Sequence, residues 1–339
     1  MKRKVISTIL AAVMAATTFM AVPAMAENDF ADKKVGICMY TFADNFMTLY
    51  RTELERYLVE KGFDKANIQI LDGNNDQATQ SGQINNLISD KVDVLIINMV
   101  TPLTAEDVTD RAVEAGIPLV YINREPSEEE EARWAENNWD VTYVGADARQ
   151  SGTMQGEIIV DLGLDTVDLN GNGKVDYVMI EGDPENVDAQ FRTEFSIKAL
   201  TDAGLEVNAI MDEIGMWDQT NGYSIANQAL ASNGADIEVI FCNNDAMALG
   251  ALEAIEGAGR KVGEDIFLVG VDALVEALND VIEGRMTGTV FNDHIAQAQG
   301  AADAAINYIT GAGNEHYIGC DYVKATAENA ADILALLTE

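Results

Sequence analysis

The sequence predicts an α/β protein built on two sheets. Short runs rich in Val and Ile recur along the chain and are apolar at consecutive positions, as strands covered by helices on both faces are. Helical patterns separate these runs, and repeated strand–helix alternation gives parallel sheets joined by crossovers. The number of runs and the length of 339 residues suit two cores rather than one.

In chain order, strands are expected at residues 35–40, 68–71, 94–98, 118–123, 175–181, 238–243 and 266–271. Helices are expected at 46–61, 77–90, 105–115 and 246–257. Gly116-Ile117-Pro118 ends one helix and opens the next strand. Asn98, Asn123, Asp147, Glu181, Asn244 and Asp272 each close or follow an apolar run. One such residue is ordinarily a helix cap or turn former. Several of them in both halves point to a site, because open α/β sheets bind ligands beyond the carboxyl ends of their strands. No Pro- or Ser-rich linker divides the halves, so the chain crosses between them within ordered structure.

Lys2, Arg3 and Lys4 precede an apolar run to about residue 22, and Ala24-Met25-Ala26 has the form of a cleavage site. Residues 1–26 are therefore expected to be an export signal, with Glu27 starting the mature chain. No Cys stands at the cleavage point, so a lipid anchor is not expected. Net charge is -36, and losing the signal makes it three units more negative. Such a field disfavours nucleic acid and anionic membrane surfaces as partners. Cys38, Cys242 and Cys320 give no even disulfide framework. Cys38 and Cys242 lie in apolar runs and read as buried thiols, with a single disulfide left open.

Residues 168–176 read Asp-Leu-Asn-Gly-Asn-Gly-Lys-Val-Asp. Oxygen-bearing side chains stand at Asp168, Asn170 and Asn172, and Gly173 follows at the sharp turn of an EF-hand loop. Lys174 offers its carbonyl and Asp176 stands at the ninth position, but the twelfth is Met179 instead of Glu. Sulfur cannot replace a carboxylate for a hard cation. Either the loop binds nothing or a distant residue completes it.

No catalytic set is convincing. The histidines, His294 and His316, lie in no metal spacing, and there is no Gly-x-Ser-x-Gly elbow or phosphate loop. Glu128–Glu131 form an acidic run, expected on a loop or helix start as a solvated face. What remains suits a neutral polyol. Asp44, Asn123, Asp188, Arg192, Asn244, Asp272 and Asn292 supply donors and acceptors, while Phe46 and Trp217 supply flat apolar faces. Each buried sugar hydroxyl left unpaired costs roughly 1–3 kcal/mol, and the C–H faces of a pyranose pack on aromatic rings. Taken singly, Asp44 is also a plausible helix cap and Trp217 a core residue.

Several segments together resemble the galactose/glucose-binding group of the type I periplasmic binding proteins. They are residues 43–47 (Ala-Asp-Asn-Phe-Met), 123–126 (Asn-Arg-Glu-Pro), the 168–176 loop, 216–218 (Met-Trp-Asp), 243–248, 270–274 and 288–293. The resemblance spans nearly all of the expected mature chain. It implies a two-lobed α/β fold, each lobe a mostly parallel sheet flanked by helices. Residues 27–146 plus 293–323 would form the N-terminal lobe, and 147–292 plus 324–339 the C-terminal lobe. The crossings would fall near 145–148, 292–293 and 322–324.

The resemblance also implies roles. Phe46 and Trp217 would sandwich a pyranose, with Asp44 at its 4-hydroxyl. Asn123, Asp188, Arg192, Asn244, Asp272 and Asn292 would hold the other oxygens. The family's pocket histidine falls on Asn186 here. A structural Ca2+ would be held by Asp168, Asn170, Asn172, the Lys174 carbonyl and Asp176, completed by Glu238. Asn172 replaces a common Asp and Asp176 a common amide, so the formal charge is kept. The expected protein is a monomer of the periplasm, not an enzyme. It would close on D-galactose or D-glucose and deliver it to the membrane subunits of an ABC importer, with a chemotaxis receptor as a further partner. The alternatives are another aldose, or a secreted carbohydrate-active enzyme drawing a carboxylate pair from Asp44, Asp188 and Asp272. A sugar-responsive transcriptional regulator would need a helix-turn-helix and a basic face, and the chain opens instead on a signal-like segment and is strongly acidic.

Overall fold

The computed structural model describes residues 30–338. The expected export signal and Glu27 lie outside the described residues. The first half alternates strand and helix: β1 (Val35–Met39), α1 (Asn45–Glu60), β2 (Ile68–Asp72), α2 (Gln77–Ser89), β3 (Val94–Ile97), α3 (Ala105–Ala115), β4 (Leu119–Ile122), α4 (Glu128–Asn137) and β5 (Val141–Gly145). The second half continues with α5 (Ala148–Leu162), α6 (Leu164–Val167), β6 (Lys174–Glu181), α7 (Val187–Asp202), β7 (Glu206–Ile214), α8 (Gln219–Asn233), β8 (Val239–Cys242) and α9 (Asp245–Gly257). It then runs through β9 (Phe267–Val269), α10 (Val275–Ile282) and β10 (Thr289–Phe291). The last segments are α11 (His294–Thr310), β11 (Tyr317–Gly319), β12 (Val323–Ala325) and α12 (Ala330–Thr338).

The first sheet has the order β11-β5-β4-β3-β1-β2 and is parallel throughout. The second has the order β7-β6-β8-β9, also parallel. Parallel bridges Val269–Gly288 and Asp272–Phe291 extend it to β10, and β12 pairs antiparallel with β10. The mostly parallel α/β class expected from the sequence is thus observed. The chain passes between the sheets at 146–147, 292–293 and 320–322.

Side-chain alternation explains the near-continuous apolar runs. In β1, Val35, Ile37 and Met39 pack under α1 and α11, while Cys38 faces the layer of α2, α3 and α4. In β6, Val178 and Ile180 face α8 and α9, while Val175, Tyr177 and Met179 face α5 and α7. Met179 is therefore a core residue. All three cysteines are free, with Cys38 and Cys242 buried.

Five strands lie outside the expected set. β7 is mostly exposed and reads Glu-Val-Asn-Ala-Ile-Met-Asp-Glu-Ile, so no apolar run marks it. β10, β11 and β12 are three residues long. β5 is fully buried but is interrupted by Thr142. The acidic run also departs from expectation. Ser127 caps α4, and Glu130 is buried, where it accepts from Trp134 Nε1 (2.6 Å) and pairs with Arg133 (2.7 Å). Only part of that run is a solvated face.

Candidate functional site

A cavity lies between the carboxyl ends of the two sheets. Asp44, Phe46, Asn123, Asn186, Asp188, Arg192, Trp217, Asn244, Asp272 and Asn292 all line it. Tyr40, Met47 and Arg124 line it too. About 330 Å³ of space lies within this lining, part of it open to solvent.

Several of these residues cap helices as well as facing the cavity. Asp44 Oδ1 accepts from the Met47 amide (2.8 Å), Asn186 Oδ1 from the Asp188 amide (3.0 Å), and Asn244 Oδ1 from the Met247 amide (3.0 Å). Asp44 thus caps α1 and lines the cavity at once. A strand that ends where a helix begins places its cap at the strand's carboxyl end. Capping also fixes which atom remains. Asn186 and Asn244 spend their oxygens on backbone amides and keep donor nitrogens, the latter also donating to the Trp217 carbonyl (3.3 Å).

Three wall residues have left-handed backbone: Asn123 (φ 61°), Trp217 (φ 64°) and Asp272 (φ 119°). Such conformations cost on the order of 1–3 kcal/mol and persist where neighbours over-determine them. At Asp272 the neighbours are visible. Its amide donates to Val290 O (2.8 Å), and buried Asp245 accepts from the Leu274 amide (2.8 Å) and Thr289 Oγ1 (2.7 Å). At Trp217 the ring lies against Gly182, where a Cβ would stand 2.2 Å from ring atoms.

Arg192 is the electrostatic centre. It is buried, with its guanidinium 3.7 Å from Asp188 and 3.8 Å from Asp272. It donates to Asn243 O (2.8 Å) and Tyr322 Oη (3.2 Å). Burial pushes Asp188 up to about 6 and Asp272 up to about 7, with Arg192 pulling both back. Burial pulls Arg192 down, but Tyr322, Asp272 and Asp188 outweigh it and hold the guanidinium above its usual range. Asn292 donates to Asp272 Oδ1 (3.3 Å), and its own oxygen accepts from Gln297 Nε2 (2.6 Å) on α11.

The oxygen-rich loop lies apart from this cavity. Glu238 is fully buried and does reach the loop, accepting from the amides of Asn170 (3.1 Å) and Asp176 (3.0 Å). Asp168 accepts from the amides of Asn172 (3.0 Å) and Gly173 (2.8 Å). Asp176 accepts from the side-chain amides of Asn170 (2.7 Å), Asn172 (2.6 Å) and Asn208 (2.6 Å). Burial raises Asp176, but these amides outweigh it and hold the carboxyl below its usual range. Among the described residues, no group of three or more His, Cys, Asp and Glu side chains converges into a metal cluster. The donor chemistry of carboxylates, amides and a peptide carbonyl nonetheless fits a hard cation. The amides of Asn170 and Asn172 would have to turn their oxygens inward. Asn208, on exposed β7, was not marked by the loop pattern.

Residues 35–313 match the periplasmic binding protein domain family. The chain is 33% identical over 316 residues to the D-galactose/methyl-galactoside binding periplasmic protein of Haemophilus influenzae, covering 90% of this chain and 92% of that one. It is 26% identical to the ribose import binding protein of Bacillus subtilis, with 82% of each chain covered. Among solved structures, a Bacillus halodurans ABC transporter solute binding protein with bound myo-inositol superposes with a TM-score of 0.78 at 26% identity, over 91% of this chain and 99% of that one. The chain belongs to the periplasmic binding protein family, as a two-lobed binding protein rather than an enzyme.

Proposed function

We propose that the protein captures one D-galactose or D-glucose molecule in the periplasm and hands it to the membrane subunits of an ABC importer. The observation that carries this is the composition of the cavity wall. Phe46 comes from one lobe and Trp217 from the other, and the same wall carries Asp44, Asp188 and Asp272, donor amides and Arg192. A pyranose presents two apolar faces and a rim of hydroxyls, and this wall offers partners for each. Both lobes contribute, so a ligand touching both favours the closed form, and closure is what a transporter or a chemotaxis receptor would read. A structural Ca2+ in the 168–176 loop, completed by Glu238, is part of this proposal.

Asn186 stands where the family pattern has a histidine, and its amide donates to a hydroxyl with a different reach from an imidazole. Another polyol is the second reading, favoured by the 26% identity to the solute binding protein that holds myo-inositol. Titrating the protein's tryptophan fluorescence, to which Trp217 contributes, with D-galactose, D-glucose, D-ribose and myo-inositol separates the two. Saturation by an aldohexose at the lowest concentration supports the first reading, and saturation by myo-inositol alone supports the second.

A further inference from the structure

Arg124 and Asp183 join the lobes across the cleft. Arg124 follows β4 of the first sheet and Asp183 follows β6 of the second. Arg124 Nη1 donates to Asp183 Oδ2 at 3.2 Å, with both side chains largely removed from water. Away from the crossing segments, this is the one hydrogen bond between side chains of the two lobes among the described residues. The other ion pair across the cleft, Arg149 with Glu128, is 3.6 Å long and its glutamate is 87% exposed, so it contributes little.

The rest of the Arg124 environment ties the pair to the cavity. Its Nη1 also donates to the Val100 carbonyl, which holds the guanidinium in its own lobe. The guanidinium lies 3.9 Å over the Tyr40 ring, and Tyr40 Oη donates to Asp44 Oδ2 at 2.6 Å. Arg124 Nε is buried without a partner beside the cavity. On the opposite lobe, Asp183 Oδ1 accepts from the Glu185 amide (3.0 Å), which orients the carboxylate. Asp183 itself does not line the cavity.

We propose that Arg124–Asp183 is the latch that holds the two lobes closed, and that Asp183 sets how long a ligand stays rather than which ligand binds. The kinetic test of this latch rests on the sugar-binding reading. A charge pair away from solvent acts mainly on dissociation once one partner is removed. The latch is also positioned to register the occupant, because a ligand oxygen that pairs with Arg124 Nε steadies the same guanidinium that Asp183 holds.

Asp183→Asn tests this, because it keeps an oxygen for the Glu185 amide and removes the charge. Stopped-flow measurements with D-galactose and D-glucose should show dissociation about tenfold faster, association changed less than about twofold, and the order of preference kept. Asp183→Glu should recover part of the slow dissociation, and Glu128→Gln should leave the rates unchanged. Dissociation from Asp183→Asn within about twofold of the unmutated rate overturns the latch. If neither sugar binds the unmutated protein, the functional reading fails and the latch is judged by small-angle scattering. There, a larger radius of gyration for ligand-free Asp183→Asn supports it and an equal one overturns it.

Discussion

Asn98 Nδ2 donates to Asn123 Oδ1 at 3.0 Å, and this bond decides what Asn123 offers the cavity. Asn98 is fully buried at the end of β3, donates also to Ile122 O (3.2 Å), and accepts from the Tyr40 amide (3.2 Å). Its orientation is therefore fixed from three sides, and the nitrogen of Asn123 is left to donate. Asn98→Asp replaces the donor with an acceptor and should turn the Asn123 amide around. Ligand affinity is expected to fall about tenfold or more, although Asn98 itself does not line the cavity. Fluorescence titration checks this, and unchanged affinity would show that Asn123 is not held by its neighbour.

The carboxyls around Arg192 predict a pH dependence. Asp188 and Asp272 are raised to about 6 and about 7 in the folded protein. Raised carboxyls bind protons in the folded state before the unfolded chain does, so their contribution to stability grows as pH falls from about 7 toward 4. Ligand hydroxyls need the ionised form as acceptor, so affinity should move the opposite way and weaken over the same range. Binding near pH 6.5 should then release protons. Calorimetry in two buffers of different ionisation enthalpy measures that release, and proton uptake would contradict it.

Gly182 makes room for Trp217. A methyl group there would meet the indole at 2.2 Å, too close for either to stay in place. Gly182→Ala should displace the ring, lowering ligand affinity about tenfold. An alanine variant that binds as tightly as the unmutated protein would remove Trp217 from the ligand's surroundings.

The 168–176 loop makes a separate prediction. Glu238 ties this loop to the start of β8, so an ion completed by it would link segments far apart in sequence. A cation that binds only the folded state stabilises it by mass action. Chelator should lower the melting temperature of the unmutated protein by roughly 5 °C. Glu238→Gln should melt lower and ignore the chelator. An unmutated protein indifferent to chelator would mean that the amides around Asp176 suffice on their own.

The buried centre of each sheet was legible, because β1, β3, β4 and β8 are apolar at nearly every position, as is β6 from Tyr177 to Ile180. The polar residues at strand ends were legible for the same reason, since each interrupts such a run. β7 was not, because an exposed edge strand carries no apolar signature. Arg124 and Tyr40 were present in recognisable segments, yet their roles depend on two loops meeting across a cleft. Nothing in local sequence brings residue 124 to residue 183. Asn98 shows the same limit at shorter range. It was visible as a strand end, but its task of orienting Asn123 follows from the register of β3 beside β4.

Calorimetric titration of the purified protein with a panel of monosaccharides tests the central claim most directly. The account predicts one site per chain, filled by D-galactose or D-glucose more tightly than by pentoses or inositol. Failure of every aldohexose to bind would contradict it.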